Sequence, residues 1–129
     1  MGLPGETVSI GQDRHARING RRLDASTPHF ENVYSFDPKI PAKESHLLRD
    51  QFYNGHILAP ASNIRTEADK LEVPERHYAM LGDNTASSYD SRYWGFVPEA
   101  NVIGKAWFVY WPISNGPKIP SRFGWVYGR

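Results

Sequence analysis

The dipeptide Asn19-Gly20 limits the fold of this chain more than any other short feature. Both residues accept positive φ, which the tight turn of a two-residue hairpin demands. Ala16 to Ile18 and Arg21 to Leu23 on either side are therefore predicted to be adjacent antiparallel strands. Thr7 to Ile10, with Val8 and Ile10 alternating, is predicted as a strand ahead of them, joined by a turn at Gly11, Gln12 and Asp13. A chain that places three short strands so early is directed toward antiparallel sheets.

The rest of the sequence continues that theme with one interruption. From Asp24 to about Pro74, Pro28, Pro38, Pro41 and Pro60 keep any strand short or at a sheet edge. Pro41 to Tyr53 is the best helix candidate: Leu48 and Phe52 share a face, and Asn54-Gly55 supplies a stop. "ASNIRTEADKLEVPE" is expected to be an exposed connection, and "HYAML" a buried strand running into Gly82. "NVIGKAWFVYW" is expected to be one long strand ended by Pro112. Ala106, Phe108 and Tyr110 would face one side, and Trp107, Val109 and Trp111 the other. "IPSRFGWVYGR" adds a short aromatic strand. The expected fold class is mainly β with one short helix.

At 129 residues with 40% hydrophobic content, the chain has the size and composition of one domain with a real core. Its net charge of +1 points to no polyanion, so nucleic acid is not an expected partner. Arg14, Arg17, Arg21 and Arg22 are expected to form a solvated hairpin face. The absence of cysteine rules out disulfides, thiolate metal sites and a cysteine nucleophile. The five histidines are scattered, without metal-ligand spacing, and are expected at the surface. No window approaches the ~18 to 20 apolar residues of a membrane-spanning helix. The start, "MGLPGETVSIG", resembles neither a signal nor a transit peptide.

Residues Leu81 to Pro98, "LGDNTASSYDSRYWGFVP", are too polar for a core strand. Gly82-Asp83-Asn84 has the composition of a turn. Asp90 and Arg92 lie two residues apart, so in an extended segment they share a side and either form a local ion pair or each reach a neighbouring loop. Three readings stand at this point. The loop is a hydrogen-bonded clasp between strands; or Asp83, Asn84 and Asp90 are hard oxygen ligands, though without the spacing of a calcium loop. In the third, Ser87, Ser88 or Ser91 is a nucleophile, though none sits in a G-x-S-x-G elbow.

"GDNTASSYDSRYWGFVPEANVIGKA" closely resembles the signature of bacterial type I signal peptidases, G-D-N-x-x-x-S-x-D-S-R-x-x-G followed by V-P and G-K/R-A. Gly82, Asp83, Asn84, Ser88, Asp90, Ser91, Arg92 and Gly95 match, as do Gly104 and Ala106 downstream. "GLPGETVSI" followed by "INGRRL" is similar to the segment just after the family's catalytic lysine. The resemblance covers both ends of the chain. It implies antiparallel sheets of the signal peptidase type with a small inserted β subdomain, here a variable region at about 24–74.

The family are membrane-anchored serine proteases that remove signal peptides from exported proteins with a serine nucleophile and a lysine base. No metal or cofactor is implied. The resemblance assigns Ser88 to orienting the lysine, and Asp83, Asp90 and Arg92 to a bracing ionic network. Gly82, Asn84, Ser91 and Gly95 shape the turns. In the family register the lysine precedes Met1 by three residues, and no S-M-x-P motif occurs, so both catalytic groups are absent from this sequence. Thr85 stands where many members carry arginine. The expectation is the C-terminal part of an enzyme of the bacterial inner membrane, acting on its outer side, inactive alone. Its partners would be signal peptides and the membrane surface. Loss of the lysine-bearing strand would expose a sheet edge and favour pairing between copies. A non-catalytic signal-peptide-binding relic and a plasmid-transfer-type peptidase are the alternatives.

Overall fold

The computed structural model describes residues 1–28, 30–31, 33–34, 55–85, 88–104, 108–109 and 124–125. Strands β1 (Thr7–Ile10), β2 (Ala16–Ile18) and β3 (Arg21–Arg22) follow the predicted hairpins. The turn between β2 and β3 has φ of 51° at Asn19 and 79° at Gly20, the primed geometry that matches strand twist. Asn19 contributes twice, because its Oδ1 also accepts the Thr7 N–H at 2.8 Å. Val8 and Ile10 are fully buried, as β-branched residues on the covered face of a sheet should be.

A fourth strand completes this sheet where a connection was expected. β4 (Leu71–Glu72) pairs antiparallel with β1, Val8 opposite Leu71, and gives the order β3-β2-β1-β4. The segment before it is not uniformly exposed either. Ile64 is fully buried and Ser62 nearly so, while Asp69 folds the exposed part into a turn by accepting the Arg65 and Thr66 N–H groups. Leu71 and Val73 alternate at strand spacing, and Val73 joins the Val8 and Ala79 core. Because β1 has neighbours on both sides, the edges of this sheet are the two-residue β3 and β4.

β5 (His77–Tyr78) pairs with β6 (Val97–Pro98), and Gly2 bridges to Ala79 just beyond β5. Between them lies a helical turn, α1 (Ser91–Trp94). The predicted helix at Pro41 to Tyr53 lies outside the described residues, except that the stop signal's Gly55 is described, at a φ of 68°. The predicted long strand from Asn101 begins later. Glu99–Asn101 is a 3-10 turn closed by the Val102 N–H on the Glu99 carbonyl. Residues 102–104 are exposed without strand pairing, so β-branched composition alone does not make a strand there. β7 (Phe108–Val109) and β8 (Gly124–Trp125) do pair antiparallel; the expected facing of residues 106–111 lies outside what is described.

Two apolar clusters hold these pieces together. One gathers Ala16, Val33 and Tyr34, the other Val8, Val73 and Ala79, and Leu81 packs against both. The residue that joins the clusters therefore leads directly into Gly82. The basic group is paired as well as solvated: Asp13 accepts from Arg17 at 3.0 Å and Arg22 at 2.9 Å. No helix among the described residues is long and apolar enough to cross a membrane.

The turn carries a measurable share of stability. Gly20→Ala should cost about 1 kcal/mol through its positive φ. Asn19→Ala should cost about 1–2 kcal/mol, more than Asn19→Gly, because it loses both the conformational tolerance and the Thr7 bond. Urea denaturation of the three variants reads this order; equal losses for the two Asn19 variants would contradict the role given to the positive φ at that position.

Candidate functional site

The polar stretch is built around Asp90. Its extended backbone places it at the N-cap of α1, where Oδ1 accepts the Arg92 backbone N–H at 3.2 Å. That cap folds Arg92 back onto the same carboxylate. Nε donates to Oδ1 at 2.8 Å and Nη2 to Oδ2 at 2.9 Å, a fork-on-fork pair. The sequence pattern predicted the pair from two residues sharing the side of an extended segment; a helical turn makes it instead, because the cap reverses the chain between them.

Both partners are buried, Asp90 at 4% and Arg92 at 1% exposure. Such a pair is tolerable only if its remaining hydrogen-bonding capacity is met. Oδ2 also accepts the Gly82 N–H at 3.0 Å, and the Ser88 side chain further stabilises the charge. Arg92 reaches the Ser88 carbonyl at 3.4 Å and the Ile57 carbonyl at 3.5 Å. Burial by itself would raise the Asp90 pKa, but Arg92, the Gly82 N–H and Ser88 outweigh it and hold the carboxyl below its ordinary value.

The other expected residues take different positions. Ser91 is fully buried, and its Oγ accepts the Met80 N–H at 2.7 Å while its own N–H donates to the Met80 carbonyl at 2.9 Å. Gly95 closes α1, its N–H reaching the Ser91 carbonyl at 3.1 Å. Ser88 donates its N–H to the Asn84 carbonyl at 3.0 Å and leans over Gly82. A Cβ at Gly82 would stand 2.0 Å from Ser88 Oγ, so only glycine admits this approach. Asp83 is exposed; its Oδ1 accepts the Asn84 N–H at 2.8 Å, and it joins no ion pair among the described residues. Thr85 is buried at 1% exposure, a setting in which the arginine of other sequences would need its own counter-charge. Ser87 lies outside the described residues. Among the described residues no three His, Asp or Glu side chains converge as a metal site would require.

Sequence reasoning missed two histidines. His15 and His56 are buried, at 7% and 2% exposure, rather than at the surface. His15 stacks on Tyr34 at 4.5 Å between ring centroids. The Tyr34 hydroxyl accepts the Ala16 N–H and lies 3.2 Å from His56 Nδ1. Burial, then the nearby Arg92 charge, lowers the His56 pKa to about 4, so the ring is neutral at pH 7. The apolar flank Ile57-Leu58 was the available signal. His56, Leu81, Gly82 and Asp83 border a cavity of about 210 Å3.

Residues 1–111 match the family described as signal peptidase, peptidase S26. A signal peptidase I of Pseudomonas aeruginosa is 33% identical over 148 aligned positions, covering 98% of this chain and 48% of that protein. A probable signal peptidase I-2 of Synechocystis is 47% identical over 80 positions, covering 59% of this chain and 37% of that protein. The chain thus spans about half the length, or less, of these curated relatives. A crystal structure of a signal peptidase I from Enterococcus faecalis aligns with a TM-score of 0.49 and 32% identity, covering 81% of this chain and 75% of that one.

Breaking the buried pair from either side leaves an uncompensated charge. Asp90→Ala and Arg92→Ala should each cost about 3–5 kcal/mol, and the double variant less than their sum. Additive losses in a double-mutant cycle would rule out the coupling. Because the folded Asp90 pKa is depressed, its contribution is complete above the unfolded value near 3.8 and lost as pH falls through the lower folded value. The stability gap between wild type and Asp90→Asn should therefore narrow below pH ~3.8, where a pH series of urea melts measures it. Gly82→Ala should cost about 1–3 kcal/mol by displacing Ser88.

Proposed function

The chain belongs to the signal peptidase family, peptidase S26, and on that premise we propose that it is the C-terminal part of a membrane-associated serine endopeptidase that removes signal peptides from exported proteins. The observation that carries this reading is the Asp90–Arg92 fork holding Ser88 over Gly82, within the segment that matches the family signature. The nucleophilic serine and the lysine base come from sequence this chain does not contain, and alone it does not cleave peptides.

The chemistry assigns each residue a task. A lysine acts as a base only when its surroundings favour the neutral amine, and the amine must then point its lone pair at the nucleophile. The Asp90 charge favours a Ser88 hydroxyl whose proton turns toward the carboxylate, which would leave the oxygen as an acceptor. It would accept an N–H of the amine and so fix the lone pair's direction. Arg92 helps Asp90 keep its charge at neutral pH and, by donating to the Ser88 carbonyl, holds that residue beside the carboxylate. Asp83, exposed and outside any described ion pair, would meet a cation contributed from the same upstream segment. The enzyme would work at the outer side of a bacterial inner membrane, with the signal peptides of preproteins as substrates.

A chain extended N-terminally to include the serine and lysine motifs tests the proposal on a preprotein substrate. Cleavage is expected from the extended chain and none from residues 1–129. Ser88→Ala in the extended chain should lower kcat by about 10²-fold or more, with Ser88→Thr retaining more activity. Turnover by the 129-residue chain would overturn the reading. Signal-peptide binding without cleavage by the extended chain would favour a non-catalytic relic instead.

A further inference from the structure

We propose that His56 is a positioning residue for the Gly82 turn: its ring, as the Nε2-protonated tautomer, is wedged between the Tyr34 hydroxyl and the Gly82 backbone. The backbone of His56 and Ile57 already ties two parts of the fold together. The His56 N–H donates to the Arg14 carbonyl at 2.8 Å, and the Ile57 carbonyl accepts from Arg92 at 3.5 Å. The His56 side chain sits at this junction, 2% exposed, and borders the same space as Leu81 and Gly82.

The tautomer follows from hydrogen-bond accounting. The Tyr34 oxygen accepts the Ala16 N–H at 3.0 Å and lies 3.2 Å from His56 Nδ1. A hydroxyl that accepts on one side and donates on the other uses both its functions. An O–H donated to Nδ1 leaves the ring proton on Nε2. That nitrogen is shut off from solvent, so neither water nor a molecule in the neighbouring cavity meets its proton. The Gly82 backbone faces the ring as an acceptor, at a geometry looser than an ordinary hydrogen bond. A ring packed against that backbone limits where Gly82 can move.

The ring must be neutral for this role. Burial, the Arg92 guanidinium and the Met1 ammonium outweigh the Asp90 charge and the Gly82 backbone, and lower the His56 pKa to about 4. Burial is the largest of these causes, so the ring is neutral at pH 7 with or without the Met1 charge. A charged imidazole would set a second cation beside Arg92 and compete for Asp90; a neutral one supports the turn without drawing on the ion pair. Gly82 gives the contact its consequence. Its N–H donates to Asp90 Oδ2 at 3.0 Å, and its lack of a Cβ admits Ser88 Oγ. A shift of Gly82 disturbs both. The value of His56 to catalysis rests on the peptidase reading, whereas its hold on the turn does not.

The test starts on the unaltered 129-residue chain. Long-range ¹H–¹⁵N NMR at pH 7 reads the His56 ring, expected with Nε2 protonated and Nδ1 bare. The opposite tautomer, or a charged ring, would overturn the proposal. Two variants then separate the ends of the ring, since Gln reaches as far as Nε2 with an N–H and Asn only as far as Nδ1. His56→Asn should speed exchange of the Gly82 amide about tenfold relative to the amides of β1, the size of one net hydrogen bond, and His56→Gln less. Taking the ratio to β1 removes any global loss of stability. The same ratio in wild type and both variants would reduce His56 to space filling and overturn the positioning role. In the N-terminally extended chain, His56→Asn should lower kcat about tenfold with KM little changed, and His56→Gln should recover part of it. Inactivity of the extended wild type would count against the peptidase reading and not against this one, which the ring tautomer and the Gly82 ratio decide.

Discussion

The polar stretch from Gly82 to Gly95 is organised around one buried ion pair. Taking a carboxylate and a guanidinium out of water costs several kcal/mol each, so the pair persists only where other groups complete its hydrogen bonding. Those groups come from separate stretches of chain: the Gly82 N–H, the Ser88 carbonyl, the Ile57 carbonyl and the Arg92 backbone itself. A hydrophobic pair of the same volume would serve stability as well or better. What the ion pair supplies is a demand: the chain must bring these groups to one place. The Asn63 N–H on the Arg92 carbonyl adds another tie from the segment after His56.

The sheet gives that demand a rigid frame. The Asn19-Gly20 turn sets the register of β2 on β3, and Thr7, tied to Asn19, fixes β1. β1 then positions β4, and the Gly5 N–H on the Val73 carbonyl extends this contact toward the N-terminus. Gly2 exchanges both backbone hydrogen bonds with Ala79, and Met80 exchanges backbone and side-chain bonds with Ser91. The path from the hairpin to α1 is therefore continuous in hydrogen bonds. Leu81, packed on both apolar clusters, holds the entrance of the loop from the core side.

What the sequence revealed follows how local each cause is. The hairpin was legible because Asn19 and Gly20 carry their own turn chemistry. The Asp90–Arg92 pairing was legible from spacing, but its geometry was not, since an N-cap depends on the backbone reversal that follows it. The burial of Ile64 and the pairing of Leu71 were hidden because distant partners decide them; "IRTEADKLE" is polar enough to look like pure connection. Val102 and Ile103 misled in the opposite sense, having strand composition without a partner strand. His56 was missed because a buried histidine looks the same in sequence as an exposed one until Tyr34 and the apolar walls surround it. For the site, the sequence supplied the residue set while the structure supplied the roles: Ser91 as a backbone tie, Gly82 as a clearance for Ser88, and Asp83 as an exposed acid.

The network is complete without any group from outside the described residues, and that bears on how such a site would work. Asp90 draws its depressed pKa from Arg92, Gly82 and Ser88, all within reach before any substrate or additional strand arrives. Its charge is therefore a fixed feature of the fold at neutral pH rather than a product of assembly. The Arg92 bond to the Ser88 carbonyl keeps that residue beside the fixed carboxylate. Dipoles held this way need no rearrangement when a base is placed against them, which is the physical advantage of preorganisation. The same hydrogen bonds that make the charges tolerable also tie the Gly82 and Ser88 backbones to the pair.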